Sequence, residues 1–205
     1  MTYAGPLLDT MKRVAGLLKA EELDFALAGS LAAYARGGWS EPHDVDFVVL
    51  ESSLPALEST LRGAGLRVVR PPEDWLIKAF DDESGAPGCM VDFLFRPAGI
   101  PVVGELIERA EPMLVESVMM PVLTATDLAI LKLLSLSEQH CDFGPLLRLS
   151  RPLREQIEWS TVRAATTHSP FARGFLALLE ELNIALLPAD TEVVPTAWPA
   201  SASDR

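Results

Sequence analysis

The stretch Asp24-Phe25-Ala26-Leu27-Ala28-Gly29-Ser30, followed after thirteen residues by Asp44-Val45-Asp46-Phe47-Val48-Val49-Leu50, decides how this chain folds. Its first part is a short apolar run ending on Gly29-Ser30, after which Leu31 to Arg36 reads as a helix stopped by Gly37-Gly38. That is strand, tight turn, helix. Its second part has the apolar density and β-branching of a buried strand, interrupted by Asp44 and Asp46. Residues two apart on a strand face the same side, so the two carboxylates project together.

Two carboxylates side by side repel, and in a partly buried site their pKa values rise unless a cation neutralises them. Oxygen-only ligands favour Mg²⁺ or Mn²⁺ over zinc. A third acid interrupts the later apolar run Val91-Asp92-Phe93-Leu94-Phe95. With that strand beside the first, Asp44, Asp46 and Asp92 would converge on one or two metals. Such a set suits phosphoryl or nucleotidyl transfer, in which one carboxylate takes the proton of the attacking hydroxyl. Gly29 allows close backbone approach, while Ser30 and the helix start offer donors to a triphosphate. Taken singly, Gly-Ser before a helix is an ordinary N-cap and Asp-x-Asp an ordinary solvated strand face. Their order, with Asp92 in a third strand, favours a site.

Outward from this centre, Leu7 to Ala20 carries apolar residues at helical spacing, with Lys12, Arg13 and Lys19 on the other side. Leu54 to Ala64 predicts a helix capped by Gly65, and Leu66 to Val69 a short strand. Trp75 to Phe80 and Met90 to Phe95 flank the turn-rich Asp82 to Gly88 and predict an antiparallel hairpin. Beyond Pro121 the spacing becomes helical. Thr124 and Asp127 form a capping pattern before Leu128 to Leu136, and further helices are predicted over Phe143 to Leu149, Leu153 to Thr166 and Pro170 to Leu182. The expected class is α+β: a mixed β-sheet flanked by helices over 1–120, a helical region over 121–190, and a loose Pro-, Ala- and Ser-rich tail over 191–205.

The 205 residues include 17 Lys and Arg against 29 Asp and Glu, a formal charge of −12, which argues against a protein that coats nucleic acid. With 49% apolar residues the chain has the material for a sizeable core. Cys89 and Cys141 belong to no Cys-x-x-Cys pair, so neither a disulfide framework nor a thiolate zinc site is indicated. The first residues lack the pattern of a secretory signal, and no apolar run is long enough to span a bilayer. The expectation is a soluble cytoplasmic protein with no membrane partner.

Gly29-Ser30, Asp44-Val45-Asp46 and Asp92 resemble the signature of the DNA polymerase β-like nucleotidyltransferase superfamily. The later stretches Leu123 to Lys132 and Asp142 to Arg148 resemble the C-terminal signature of its AbiEii/MenT-type toxins, part of toxin–antitoxin systems. Together the resemblance covers roughly residues 20 to 150. It implies a nucleotidyltransferase fold and transfer of an NMP from an NTP to the 3′ end of tRNA, blocking translation, with a cognate antitoxin as partner. It implies Asp44, Asp46 and Asp92 as ligands of Mg²⁺ or Mn²⁺, and Gly29, Ser30 and Lys132 as the residues holding the nucleotide phosphates. Lys132 also has a physical argument, because a lysine in the apolar Leu128 to Leu136 segment must snorkel outward or meet an anion. Asp142 would be a supporting acid near Lys132, or a helix N-cap. Where related toxins carry a basic residue and a further Asp before the Asp142 position, this chain reads Glu138-Gln139-His140-Cys141.

Arg36 stands at the end of the helix after Gly29-Ser30 and would reach a phosphate or pair with an acid. Lys78 lies on the hairpin strand beside that of Asp92 and faces the same cleft or solvent. Ser40, in the loop entering the metal strand, is a position where phosphorylation would set negative charge near a triphosphate site. Arg148, Arg151, Arg154 and Arg163, with Arg173 and His168 nearby, form a basic helical face able to meet a tRNA acceptor end, although Glu155 and Glu158 dilute it. Two other readings stand beside the toxin: a small-molecule, aminoglycoside-like nucleotidyltransferase, and a catalytically silent binding module. Three acids set into apolar strands speak against the silent module.

Overall fold

The computed structural model describes residues 4–38, 43–82 and 89–185; Ser40 and the tail 191–205 lie outside them. The opening helix α1 (Ala4–Ala20) leads into β1 (Phe25–Ala28) and α2 (Gly29–Ala35), then β2 (Val45–Val49). Helix α3 (Leu54–Gly63) and strand β3 (Arg67–Val69) follow, joined through Gly65 in the left-handed region at φ 84°. The expected hairpin is β4 (Leu76–Asp81) against β5 (Cys89–Leu94), antiparallel and in register from Leu76↔Leu94 to Asp81↔Cys89.

A short helix α4 (Gly104–Glu108) and a second hairpin, β6 (Glu111–Val115) with β7 (Val118–Val122), were not anticipated from the sequence. The two-residue turn of this hairpin holds Glu116 and Ser117 at positive φ, as its tight reversal requires. The sequence offers none of the Asn or Gly that usually mark it. Helices α5 (Ala125–Leu134), α6 (Phe143–Leu153), α7 (Trp159–Ala165) and α8 (Pro170–Glu181) complete the order. Instead of one helix over 153–166, α6 runs on through Pro152 to Leu153 and α7 begins only at Trp159.

All seven strands form one mixed sheet in the order β3-β4-β5-β2-β1-β7-β6, the α+β arrangement expected. The pairs β2–β5 and β1–β7 are parallel, the remainder antiparallel. The expected boundary at 120 falls inside β7, whose Val122 registers with Leu27 of β1. Strand alternation then separates two faces. Phe25, Phe47 and Phe93 are buried on one, with Phe47 and Phe93 stacked at 6.0 Å between ring centroids and Phe25 edge-on to Phe47 at 5.5 Å. Helix α1 packs on β5 and against α3, burying Met11, Val14 and Leu18 beside Leu57 and Leu61. The opposite face carries Asp46 and Asp92, and α2 and α5 pack together beside it. Among the described residues no helix is long and apolar enough to cross a membrane.

Candidate active site

The register of the sheet sets three polar positions in a row beside the end of β1. Ala28, immediately before Gly29, pairs with Asp46; Asp46 pairs with Asp92; Asp92 pairs with Lys78. Asp44 lies two residues before Asp46, on the same side. One carboxylate oxygen from each of Asp44, Asp46 and Asp92 lies within 4.8 Å of the others, a spacing that a single cation can bridge.

Gly29 is held at φ 60°, and a Cβ there would overlap the Asp46 carboxylate. Only glycine lets the β1–α2 turn lie this close to the acid. The next residue, Ser30, carries a buried Oγ with no hydrogen-bond partner among the described residues. Such an atom costs about 1–3 kcal/mol unless something enters to satisfy it.

Burial raises the pKa of Asp46 to about 7, helped by the charges of Asp44 and then Asp92 and opposed by Lys132 and Lys78. Asp92 is also raised, first by burial, while the hydrogen bonds and charge of Lys78 pull it down. Lys78 Nζ donates to both oxygens of Asp92, at 3.0 and 2.8 Å. The site therefore holds more negative charge than its lysines offset, and its donors are all oxygen. That set fits Mg²⁺ or Mn²⁺.

Lys132 reaches the same cleft by way of α5. Thr124 caps this helix by accepting from Asp127 N at 3.1 Å, and its hydroxyl donates to Asp127 Oδ2 at 2.7 Å. The Arg109 guanidinium grips the buried Asp127 carboxylate, with Nη2 3.0 Å from Oδ1. With its first turn fixed in this way, α5 buries Leu128, Ile130 and Leu133 and leaves Lys132 exposed on the cleft side. Lys132 is thus exposed where it lines the cleft.

Gly29, Ser30, Asp44, Asp46, Asp92 and Lys132 line one cleft of about 600 Å³ between the sheet and α5. Its other walls are mainly apolar, including Trp75, Leu94 and Pro97 beside Asp92 and Leu131, Leu136 and Leu149 opposite. These wall residues carried no signal in the sequence beyond ordinary core spacing. Asp142 lies next door, in a depression of about 490 Å³ that shares Lys132, Ser135 and Leu136 with the cleft and also holds His140 and Cys141. Its carboxylate caps α6 by accepting from Gly144 N at 2.8 Å.

Arg36 is a correction. Read as reaching a phosphate or pairing with an acid, it does the second and not the first: it is buried at the far side of α2, where Nε donates to Leu123 O, Nη2 to Val122 O at 3.1 Å and Nη1 to Glu111 Oε2 at 2.8 Å. It ties α2 to the β6–β7 hairpin and lines no part of the cleft. Two arginines of the basic helical face make ion pairs within the chain, Arg154 with Glu155 and Arg163 with Glu180, at 3.0 and 2.7 Å. Arg148 and Arg151 are exposed on α6.

No protein-family model matches the chain, and no curated protein matches it in sequence. Solved structures do. The solution structure of the antibiotic-resistance factor ANT(2'')-Ia aligns over 86% of this chain and 96% of its own, with a TM-score of 0.56 at 13% identity. An antigenic nucleotidyltransferase-like protein from Paracoccidioides brasiliensis aligns over 85% of this chain and 88% of its own, with a TM-score of 0.51 at 13% identity. The chain thus has the nucleotidyltransferase fold, and its acidic triad and glycine turn are set on that fold.

Proposed function

We propose that this protein is a metal-dependent nucleotidyltransferase, moving an NMP from an NTP to an acceptor hydroxyl. The observation that carries the reading is the row Ala28–Asp46–Asp92 across three paired strands, with the Gly29 turn against Asp46 and with Asp44 and Lys132 opening on the same cleft. Asp44, Asp46 and Asp92 would hold Mg²⁺ or Mn²⁺, which when bound supplies charge stabilisation at the phosphate oxygens.

The chain's own residues do the rest. The Gly29–Ser30 turn receives the triphosphate, and the orphaned Ser30 Oγ gains a phosphate oxygen as its partner. Lys132 offsets the charge of the same group from across the cleft. The acceptor oxygen attacks the α-phosphorus, the bond to the β-phosphate oxygen breaks, and pyrophosphate leaves. The hydroxyl proton passes to an Asp92 carboxylate oxygen. Asp92 is farther than Asp46 from Gly29 along the sheet, so donor and acceptor enter from opposite sides of the triad.

A small hydroxyl compound is the acceptor that the cleft favours, because its described lining includes one lysine and no arginine. A surface built to track an RNA backbone is basic. The tRNA 3′ end, with the protein acting in the cytoplasm as a toxin held in check by a cognate antitoxin, is the second reading. Its specific support is that Lys132 and Asp142, both from the toxin-like signature, share one depression contiguous with the cleft. Purified protein with labelled NTPs, Mg²⁺ and either total tRNA or a library of small hydroxyl compounds tests both. Label on the small compounds alone supports the first, label on tRNA the second, and label on neither overturns the proposed function.

A further inference from the structure

Lys78 is unexplained by the transfer reaction as written above, because it lines none of the cleft yet spends its ammonium on the third carboxylate. It stands directly across the antiparallel β4–β5 pair from Asp92, on the side away from Asp46. Its side chain is 27% exposed against 10% for Asp92, and among the described residues its one other polar contact is Met90 Sδ at 3.6 Å. An ammonium has three donors and a carboxylate about four lone-pair positions. Two of those positions face Lys78, and one Asp92 oxygen still lies within 4.8 Å of an oxygen of Asp44 and of Asp46.

We propose that Lys78 is a positioning residue and the resident counter-cation of the triad: it fixes Asp92 in its ligating orientation and stands in for part of the charge of a divalent ion. This rests on the metal-site reading above. The consequence is physical. Three carboxylates within 4.8 Å of one another would repel and turn apart, whereas one of them held by Lys78 lets the site stay assembled without a divalent ion. The same positive charge lowers the attraction of the site for any entering cation. Lys78 thus gives up cation affinity for preassembly, so that tight cation binding awaits the phosphate charge of the nucleotide. Lys132, across the cleft, adds to the same effect without touching the triad carboxylates.

The test uses Mn²⁺ and the full chain without nucleotide, read by calorimetry or by loss of the free-ion electron paramagnetic resonance signal. Lys78→Met, which keeps the length and removes the charge, is expected to bind Mn²⁺ at least about threefold more tightly, since the removed charge lies close to the ligands. Lys78→Arg is expected to stay near the parent value. The melting temperature of the Lys78→Met protein should fall in chelator and recover with Mn²⁺ by more than the parent gains. A purely structural role predicts the opposite sign, weaker Mn²⁺ binding together with lower stability, and equal or weaker binding in folded Lys78→Met overturns the inference. Should that protein fail to fold, Lys78→Gln answers the same question. Absence of Mn²⁺ binding in the parent would overturn the metal site itself, a separate outcome from an unchanged affinity in the variant.

Discussion

Two groups of sheltered aspartates in this molecule are treated in opposite ways. Asp81 and Asp127 are almost wholly buried, and each has an arginine of its own: Arg13 Nη1 lies 2.7 Å from Asp81 Oδ1, and Arg109 clasps Asp127. Hydroxyls complete both, with Thr10 donating to Asp81 and Thr124 to Asp127. Asp44, Asp46 and Asp92 sit within 4.8 Å of one another and have one contacting lysine among them. Matched acids lock elements together. The unmatched triad is held at a cost in stability, the usual mark of a site that awaits a ligand.

Substitutions separate the two groups. Asp46→Asn should abolish NMP transfer, by about 1,000-fold or more, since a metal ligand supplies several kcal/mol to the transition state; steady-state incorporation of labelled NTP reads this. The same protein should remain folded. Asp127→Ala should instead lower stability by about 3 kcal/mol, because it strands the partly buried Arg109 and removes the acceptor of the Thr124 hydroxyl; urea unfolding measures it. If Asp46→Asn unfolded the chain and Asp127→Ala left stability unchanged, the division between site and scaffold would fail.

Gly29→Ala is the intermediate case, belonging to both groups. It should cost about 1–2 kcal/mol from the positive φ alone, and its Cβ should push the Asp46 carboxylate aside and weaken Mn²⁺ binding. Retained Mn²⁺ affinity would show that the close approach of turn and acid is incidental.

The smallest effect is the dependence of stability on pH. Asp46 holds its proton to about pH 7 in the folded chain against an ordinary carboxyl value of 3.8. A raised carboxylate pKa favours the folded state fully below the unfolded value, and that contribution is lost as pH rises through the folded one. In chelator, the parent should therefore lose stability between about pH 4 and 7 relative to Asp46→Asn and run parallel to it above, as thermal unfolding of the two proteins across that range would read. Mn²⁺ affinity should rise with pH over the upper part of that window, because the ion displaces the proton. Parallel pH profiles at all values would show that Asp46 is not destabilised.

The elements that place the triad were legible because they rest on local patterns. Strand alternation put Asp44 and Asp46 on one side, and the antiparallel β4–β5 hairpin was written in its turn-rich centre. The pairing Asp46↔Asp92 followed once β5 was set beside β2. Arg36 was misread because its partners lie 75 to 87 residues away, on a hairpin whose Glu116-Ser117 turn gives no compositional signal. The same missing hairpin shifted the expected domain boundary into β7. Lys78 was legible as a neighbour of the Asp92 strand, but its grip on both carboxylate oxygens depends on register, which spacing alone does not fix.

The most direct test of the central claim follows the label on the NTP. With Mg²⁺ and an acceptor mixture containing tRNA and small hydroxyl compounds, NTP labelled at the α-phosphorus should pass its label to an acceptor, and NTP labelled at the γ-phosphorus should release it as pyrophosphate. Transfer of the γ-label to the acceptor, or α-label transfer that survives in Asp46→Asn, would contradict nucleotidyl transfer at this triad.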